Sequence, residues 1–299
     1  MKKIYIAGCG GMLGDSFYQV FSKNYELKCT DINLIEDWLS YLDFRNYLDY
    51  RKDVLEFKPD YLFHLGAHTD LEYCEKNADD AYITNTLSVE YASRISNELD
   101  IPLIFISTAG IFDGKKTFYD DWDKPKPLGH YARSKYIAEQ YVQMNTKHYL
   151  ICRAGWMMGG GIEKDKKFVN KIIKQIKQNK TELYVVNDKL GTPTYTLDFA
   201  NNLELLIKND TRGLYNLVCE GNTNRLEVAK AMIDILNLKN KIKITEVNSD
   251  YFKKEYFAKR PNSEMLINYK LNLLSLNIMR EWKVCLEEYI NKDYIDIGI

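Results

Sequence analysis

The first half of the chain alternates short apolar runs with longer amphipathic stretches, and this order constrains the fold more than any other feature of the sequence. The apolar runs read KIYIAG, YELKCTD, YLFHLGA, PLIFIS and YLICRAG. Helical patterns separate them at residues 12–23, 46–57, 78–99 and 131–144. Strands that alternate with helices form right-handed βαβ units around a parallel sheet. The sequence therefore predicts an α/β fold built on a doubly wound parallel sheet.

The pattern becomes less regular after about Gly155. The segment EKDKKFVNKIIKQIKQNK predicts a helix with one apolar side, formed by Phe168, Ile172, Ile173 and Ile176. We interpret its lysines as a solvated helix face rather than a phosphate-binding patch. Further along, GLYNLV predicts a strand and residues 225–236 predict a helix. We predict one unit at residues 1–155 and a smaller C-terminal α/β region at residues 156–299, with chain crossings back into the first unit.

Composition excludes several classes of protein. The 41 Lys and Arg residues against 42 Asp and Glu residues leave a net charge of −1, which gives no basic surface for nucleic acid or an anionic membrane. The six cysteines are scattered without a C-x-x-C pair, which predicts reduced thiols in a cytoplasmic protein. The apolar run near the N-terminus is too short for a signal peptide, and no run is long enough to span a membrane. The four histidines lack metal-ligand spacing, so no metal site is predicted, and His64 is expected to be a satisfied core residue.

A glycine-rich segment, GCGGMLG, follows the first strand and opens the first helix. Glycines let the backbone turn tightly and approach a pyrophosphate, while the helix start offers free N–H groups. This position predicts a Rossmann-type site for a dinucleotide, although the tighter G-x-G-x-x-G spacing is not met. The predicted cofactor contacts in the loop are Gly8, Gly10, Gly11, Met12, Leu13 and Gly14.

An acidic residue at the end of the second strand strengthens the dinucleotide interpretation. Asp31 lies 20 residues after Gly11, where a carboxylate accepts hydrogen bonds from the adenosine ribose. No arginine follows it closely to hold a 2′-phosphate, so NAD(H) is the expected cofactor and NADP(H) the alternative. The competing interpretation of Asp31 is a turn residue. Asp43 is expected near the adenine, and a role at the lead-in to the next helix is almost as well supported.

The motif YARSK places Tyr131 and Lys135 four residues apart in a predicted helix, on one face. A free phenol has a pKa near 10, too high for efficient proton transfer at neutral pH. A nearby ammonium favours the phenolate, so we expect Lys135 to lower the pKa of Tyr131. Upstream, the Ser107–Thr108 pair leaves a predicted strand, a usual place for catalytic hydroxyls.

With these motifs together, the chain resembles the extended short-chain dehydrogenase/reductase superfamily, and within it the dTDP-4-dehydrorhamnose reductases. The resemblance runs over most of the chain and also includes GAHTDLEYCE, NTLSVE, STAGIFDG, RAGW, NDKLGTPT, GLYNL and AKRPNSEML. It implies hydride transfer from a nicotinamide to the C4 ketone of a nucleotide-linked 4-keto-6-deoxy sugar, in the synthesis of deoxysugar or polysaccharide precursors. A homodimer is a candidate assembly.

The resemblance also implies roles for individual residues. Thr108, Tyr131 and Lys135 look like the catalytic trio. Tyr131 would donate the proton, Thr108 would bind the reacting oxygen, and Lys135 would also hold the nicotinamide ribose. A backbone edge along the cofactor is expected at Gly66, Ala67 and His68.

On the substrate side, Trp156 resembles an aromatic wall against the sugar, with a core tryptophan as the alternative. Arg260 resembles part of the nucleotide-sugar pocket, where a guanidinium suits a diphosphate, with a surface ion pair as the alternative. Glu72 and Glu75 are interpreted as a solvated helix start. His130, beside the tyrosine, receives no assignment.

The segment STAGIFDG departs from the resembling family, which usually reads Ser-Thr-acid-aromatic-Val-Phe-Asp-Gly. Here Ala109 replaces the acid and Gly110 replaces the aromatic residue, both at the expected sugar contact. Hydride transfer needs neither side chain, whereas substrate identity depends on both, so the base and the sugar stay open. Two other functions compete: an epimerase or dehydratase that recycles tightly bound NAD, and a non-catalytic subunit that binds cofactor.

Overall fold

The computed structural model describes residues 1–294. The strands of this part are β1 (Lys3–Ala7), β2 (Glu26–Asp31), β3 (Leu39–Tyr41), β4 (Tyr61–His64), β5 (Leu103–Thr108), β6 (Tyr149–Ala154), β7 (Trp156–Met158), β8 (Glu182–Val186), β9 (Leu190–Gly191), β10 (Pro193–Tyr195), β11 (Gly213–Asn216), β12 (Thr223–Asn224), β13 (Lys243–Val247) and β14 (Ser263–Glu264). The α-helices are α1 (Met12–Phe21), α2 (Tyr47–Phe57), α3 (Leu71–Lys76), α4 (Ala78–Tyr82), α5 (Ser88–Leu99), α6 (His130–Asn145), α7 (Gly161–Lys164), α8 (Phe168–Lys177), α9 (Thr196–Lys208), α10 (Arg225–Ile235), α11 (Tyr269–Leu273) and α12 (Trp282–Asp293).

Within residues 1–294, seven strands form one parallel sheet in the order β11-β6-β5-β4-β1-β2-β3. The order runs outward in both directions from the centre, so the carboxyl ends of β1 and β4 lie at a switch point where ligands bind in such folds. The predicted α/β fold with a doubly wound parallel sheet is confirmed.

Apolar side chains cover both faces of this sheet, as the continuous apolar strands predict. On one face, helices α1 and α9 pack together, and Phe17 contacts Phe63 of β4 and Phe199 of α9. On the other face, α2, α5 and α6 bury Tyr50, Val89 and other apolar residues. The sheet is thereby packed between two layers of helices. The carboxyl ends of its strands are left uncovered by these layers, and the candidate site lies there.

Two predicted helices differ from the structure. The helix expected at residues 78–99 contains a π-helical turn at Ile83–Leu87, between α4 and α5. The lysine-rich segment is split between α7 and α8, because buried Asp165 accepts hydrogen bonds from the Lys167 amide and the Tyr289 hydroxyl. The apolar side of α8 is buried as predicted, and Lys171, Lys174 and Lys177 are exposed. Lys164 is an exception to the solvated face, because it is buried beside two carboxylates.

Smaller sheets complete the C-terminal part. They pair β7 with β10, β8 with β13, and β9 with both β12 and β14. Strand β11 returns to the main sheet beside β6. The proposed division at residue 155 stays a prediction, and its last residues, 295–299, lie outside the described part of the chain.

The structure also tests the expectation for His64. His64 is buried between the Tyr50 hydroxyl at 3.3 Å and the Ser88 hydroxyl at 3.0 Å, so it is a satisfied core histidine. Burial lowers its pKa to about 3.

All six cysteines are unpaired and buried. Among the helices of residues 1–294, none combines the length and the apolar character that crossing a membrane requires.

Candidate active site at the carboxyl edge of the sheet

The glycine loop lies between β1 and α1 and is shaped by close backbone contacts. A Cβ on Gly8, whose φ is +77°, would come within 2.3 Å of the Gly66 Cα atom. A Cβ on Gly14 would come within 1.7 Å of the Cys9 carbonyl oxygen. Gly11 precedes the helix without a capping side chain, and a Cβ there would meet nothing within 4 Å. Open space in front of uncapped N–H groups suits a pyrophosphate.

Asp31 supports this loop directly. Its Oδ2 accepts a hydrogen bond from the Gly10 amide at 2.9 Å, and its Oδ1 accepts one from the Asn33 amide at 3.0 Å. A Cβ on Gly10 would lie only 2.8 Å from the Asp31 Cγ. The carboxylate is therefore at the mouth of the loop, where the ribose interpretation requires it, and it also acts as the turn residue of the alternative interpretation.

Asp43 is engaged by a neighbour. Arg45 Nε donates to its Oδ1 at 2.9 Å and Arg45 Nη2 donates to its Oδ2 at 2.7 Å. This hydrogen bonding from Arg45 lowers the pKa of Asp43. Asp43 thus stands just before α2 as part of a bidentate ion pair, which fits the helix lead-in, and its contact with adenine stays a prediction.

The segment from Gly66 to His68 follows β4 and is held by a residue that sequence reasoning did not assign. The Asn85 side chain accepts from the His68 amide at 2.7 Å and donates to the His68 carbonyl at 3.0 Å. It also donates to the Ser134 hydroxyl at 3.1 Å. Asn85 lies in the π-helical turn, a local geometry that is frequent at functional sites. It connects the expected cofactor edge, which includes Ala67, to the helix of Tyr131.

Thr108 and Tyr131 come together as predicted. Thr108 ends β5, and its hydroxyl accepts from the Gly110 amide at 3.1 Å. Burial raises the pKa of Tyr131 to about 12, and hydrogen bonding with Thr108 opposes this rise. The expectation that Lys135 lowers the Tyr131 pKa is therefore wrong, because loss of water around the phenol raises it.

Lys135 is also perturbed. Its ammonium lies 4.2 Å from the centre of the Phe105 ring, and the residue is 4% exposed. Burial lowers its pKa to about 7, and the charge of Glu139 opposes the change. A buried lysine that titrates near neutral pH is typical of functional sites.

The two acids interpreted as a solvated helix start both have structural partners, which corrects that interpretation. Glu75 accepts from the His130 amide at 2.6 Å and so caps α6, the helix that carries Tyr131. Glu72 binds both terminal nitrogens of Arg260, at 2.7 and 2.8 Å. Arg260 therefore forms the ion pair of the alternative interpretation, and its guanidinium fork is already occupied.

On the sugar side, Trp156 forms a layered cluster. The Arg225 guanidinium lies 3.6 Å from the centre of a Trp156 ring. A Cβ on Gly191 would come within 2.2 Å of Trp156 Cε2. Groups this close cannot share one face, so they cover opposite faces, and the indole Nε1 donates to Glu264 at 2.6 Å. Trp156 is thus covered rather than an open wall, and its contact with a sugar stays a prediction.

Arg225 carries the free positive charge of this cluster. It also stacks over Phe168 at 4.8 Å, and it makes no ion pair with any residue from 1 to 294. Burial lowers its pKa to about 10, with Glu264 opposing the change, so it stays charged at neutral pH. Sequence reasoning missed Arg225 because one arginine at a helix start carries no motif.

The family described as RmlD substrate binding domain matches residues 1–295. The chain belongs to this family. The resemblance to dTDP-4-dehydrorhamnose reductases is thereby confirmed at the level of the RmlD family, to which the loop, the Tyr-Lys pair and the C-terminal region all belong.

Individual relatives and solved structures are similar to this RmlD family member over nearly its whole length. The spore coat polysaccharide biosynthesis protein SpsK of Bacillus subtilis strain 168 is 29% identical over 98% of each chain. The crystal structure of dTDP-4-dehydrorhamnose reductase from Yersinia enterocolitica is 32% identical, with a TM-score of 0.87 over 97% of this chain and 99% of that one. The Bacillus anthracis dTDP-4-dehydrorhamnose reductase, solved in complex with NADP, is 28% identical, with a TM-score of 0.89 over 98% of this chain and 100% of the other.

Proposed function

We propose that this chain is an NAD(P)H-dependent reductase of a nucleotide-linked 4-keto-6-deoxy sugar, with Tyr131 as proton donor. The observation that carries the proposal is the hydrogen bond between the side chains of Tyr131 and Thr108 at the carboxyl edge of the sheet. Relatives named dTDP-4-dehydrorhamnose reductase support the substrate class.

The direction of the Tyr131 pKa shift favours reduction. At a pKa of about 12 the phenol keeps its proton at neutral pH, so it can protonate the alkoxide that forms as a ketone is reduced. An epimerase or dehydratase that recycles NAD must first remove a proton from a sugar hydroxyl, and that step requires the phenolate.

The residues of the loop fit a dinucleotide. A bound reduced nicotinamide supplies the hydride. Gly11 leaves room for its pyrophosphate at the uncapped start of α1, and Gly8 and Gly14 allow the close backbone packing that shapes the loop. We propose that NAD(H) is preferred over NADP(H), because the charge of Asp31 opposes a 2′-phosphate. The Bacillus anthracis relative was solved in complex with NADP, so the preference of this chain has to be measured by titration with both cofactors.

We further propose that Arg225, rather than Arg260, meets the diphosphate of the nucleotide sugar. Arg260 is bound on both terminal nitrogens by Glu72, whereas Arg225 is charged and has no carboxylate within ion-pairing distance among the described residues. The name of the SpsK relative suggests that the product enters polysaccharide synthesis. The six unpaired cysteines support the expected cytoplasmic location.

The test is a reaction between the purified protein, NADH or NADPH, and a dTDP-linked 4-keto-6-deoxy sugar. We expect stoichiometric loss of the reduced-nicotinamide absorbance and formation of the 4-hydroxy sugar. Conversion of the sugar without net cofactor consumption would establish an epimerase or dehydratase instead. Cofactor binding with no sugar conversion across a panel of keto sugars would establish a non-catalytic subunit.

A further inference from the structure

Three reactive or polar groups converge at Gly110, the position where the resembling family carries an aromatic residue. A Cβ on Gly110 would lie 3.2 Å from Glu264 Oε1, 3.5 Å from Thr108 Oγ1 and 3.9 Å from Tyr131 Cε1. The carboxylate of Glu264 therefore occupies space that a side chain at position 110 would take. Glu264 lies more than 150 positions away in the sequence. It nevertheless places a carboxylate next to Gly110, in a segment where Ala109 and Gly110 themselves carry none.

Glu264 is held there by a specific framework. Its strand, β14, pairs in parallel with β9, and the register sets Glu264 opposite Gly191. Gly191 packs against the ring of Trp156, whose indole nitrogen donates to Glu264 Oε2 at 2.6 Å. One carboxylate oxygen is thereby fixed by the protein, which orients the other one.

The second oxygen, Oε1, receives no hydrogen bond from residues 1–294. Oε1, the Thr108 hydroxyl and the Tyr131 ring edge all lie within 4 Å of the position that a Cβ on Gly110 would take, so the negative charge of Glu264 is on the side of the site where the reacting end of a sugar would bind. An ionised carboxylate accepts hydrogen bonds and donates none, so it binds hydroxyl and ammonium donors well. An oriented acceptor at this place can bind a hydrogen-bond donor of the sugar and so discriminate against sugars that lack the donor.

We propose that Glu264 determines sugar specificity by accepting a hydrogen bond, through Oε1, from a hydroxyl or ammonium group next to the reacting carbonyl. This inference rests on the proposed reductase function. In a 4-keto-6-deoxy sugar, C5 carries the methyl group and the ring oxygen, so C3 is the neighbouring carbon that carries such a donor. The substrate class is therefore a nucleotide-linked 4-keto sugar with a donor at C3.

The experiment compares kcat/KM on 4-keto sugar nucleotides that carry a hydroxyl, an amino group or only hydrogen at C3. Glu264→Ala should lower kcat/KM about ten- to a hundredfold on the substrates with a donor, the usual range for a hydrogen bond to a charged group. It should change turnover of the 3-deoxy sugar less than about threefold, because that sugar has no donor to lose. Glu264→Gln keeps an acceptor without charge, so it should retain most activity on the 3-hydroxy sugar and lose it on the 3-amino sugar. This contrast separates the two donors.

Three further variants test the geometry. Trp156→Phe keeps a ring but removes the N–H that orients Glu264, so it should weaken the same discrimination by a smaller factor. Gly110→Ala should also weaken it, because the new methyl group presses on Oε1. Glu255→Ala, which removes an exposed acid from the same part of the chain, is the control that should leave the discrimination unchanged.

Equal losses on the 3-hydroxy and 3-deoxy sugars in Glu264→Ala would overturn the inference, since the carboxylate would then act on the fold or on Tyr131. If no keto sugar is reduced at all, the proposed function fails, and calorimetric binding of the matching 4-hydroxy sugar nucleotides decides the inference separately. Tighter binding of the 3-hydroxy form, abolished by Glu264→Ala, would uphold the specificity role. Equal affinities would reject it.

Discussion

The cofactor side and the sugar side of this site are built in different ways. On the cofactor side, the backbone of one short loop does most of the work, and the glycines keep it close to its neighbours. On the sugar side, side chains from four distant segments meet, with Glu264, Trp156, Arg225 and Thr108 as the principal members. The first side is constrained by steric fit, and the second by charge and hydrogen bonding.

This difference predicts which property a substitution on each side changes. A backbone cradle binds a common chemical group, and any side chain at Gly8 or Gly14 disturbs it. A side-chain cluster instead depends on which groups its members present, as Glu264 presents a carboxylate beside Gly110. We therefore expect substitutions on the cofactor side to affect binding as a whole, and those on the sugar side to affect discrimination.

The largest expected effect is at Tyr131, where the two sides meet. Tyr131→Phe keeps the ring but removes the group that protonates the alkoxide, and general acid catalysis typically contributes about 10²- to 10⁴-fold. Single-turnover oxidation of NADH should slow at least about a hundredfold while NADH affinity is unchanged. Turnover near that of the unmodified protein would move the proton donor to His130 or water. A parallel loss of NADH affinity would mean that the ring positions the cofactor.

The next effect contrasts two glycines. Gly14→Ala places a methyl group 1.7 Å from the Cys9 carbonyl oxygen, so the backbone must shift. We expect a loss of about 3 kcal/mol in the free energy of unfolding and a loss of cofactor affinity. Gly110→Ala meets its nearest atom, the flexible end of Glu264, at 3.2 Å and is the matched control with a small effect on stability. Equal melting temperatures for the two variants would remove the steric basis of the comparison.

The same contrast shows what sequence could and could not predict. The loop, Tyr131 and Lys135 are found because their spacing within one helix or turn carries the signal. Asn85, Glu75 and Glu264 are missed because each acts on a partner that only tertiary folding brings near. The environment of the phenol is missed for a related reason, since its desolvation depends on packing from several segments. The fold class needed only the order of strands and helices.

Lys135 links stability to pH. Its pKa is about 7 in the folded protein and 10.5 in an unfolded chain, so between these values the unfolded state binds more protons and stability rises with pH. Lys135→Met removes this penalty and should stabilise the fold on the order of 4 kcal/mol at pH 7, with the gain vanishing near pH 10.5. Denaturation at several pH values measures it. A constant difference across pH would mean that the amine is not the titrating group.

Turnover and cofactor binding should respond to Lys135→Met in the opposite direction from stability. Both should weaken, because we expect this amine to hold the nicotinamide ribose and so to place the hydride donor. A variant that is more stable and equally active would leave Lys135 without a role in the site.

A smaller effect is expected at Arg225. Arg225→Met keeps the apolar contact with Trp156 and Phe168 but removes the charge, so the KM for the nucleotide sugar should rise about tenfold with kcat little changed. The matched variant is Lys283→Met, which removes a lysine that lies over an aromatic ring in α12. An unchanged KM for Arg225→Met, measured with intact sugar nucleotide, would remove Arg225 as the diphosphate contact.

The smallest expected effect concerns Asp31, a side-chain charge on the cofactor side. Asp31→Asn retains the shape and one acceptor oxygen but removes the charge that repels a 2′-phosphate. We expect the affinity ratio of NADH to NADPH to move about fivefold toward NADPH, which corresponds to about 1 kcal/mol of repulsion in a solvated site. Titration of both cofactors measures the ratio. Because the carboxylate also binds the Gly10 and Asn33 amides, thermal unfolding must accompany the titration. A small shift in melting temperature with a changed ratio assigns Asp31 to cofactor choice. A collapsed melting temperature, with both cofactors lost together, would make Asp31 a structural support for the loop, and the adenosine end of the cofactor would then depend on the backbone of the loop.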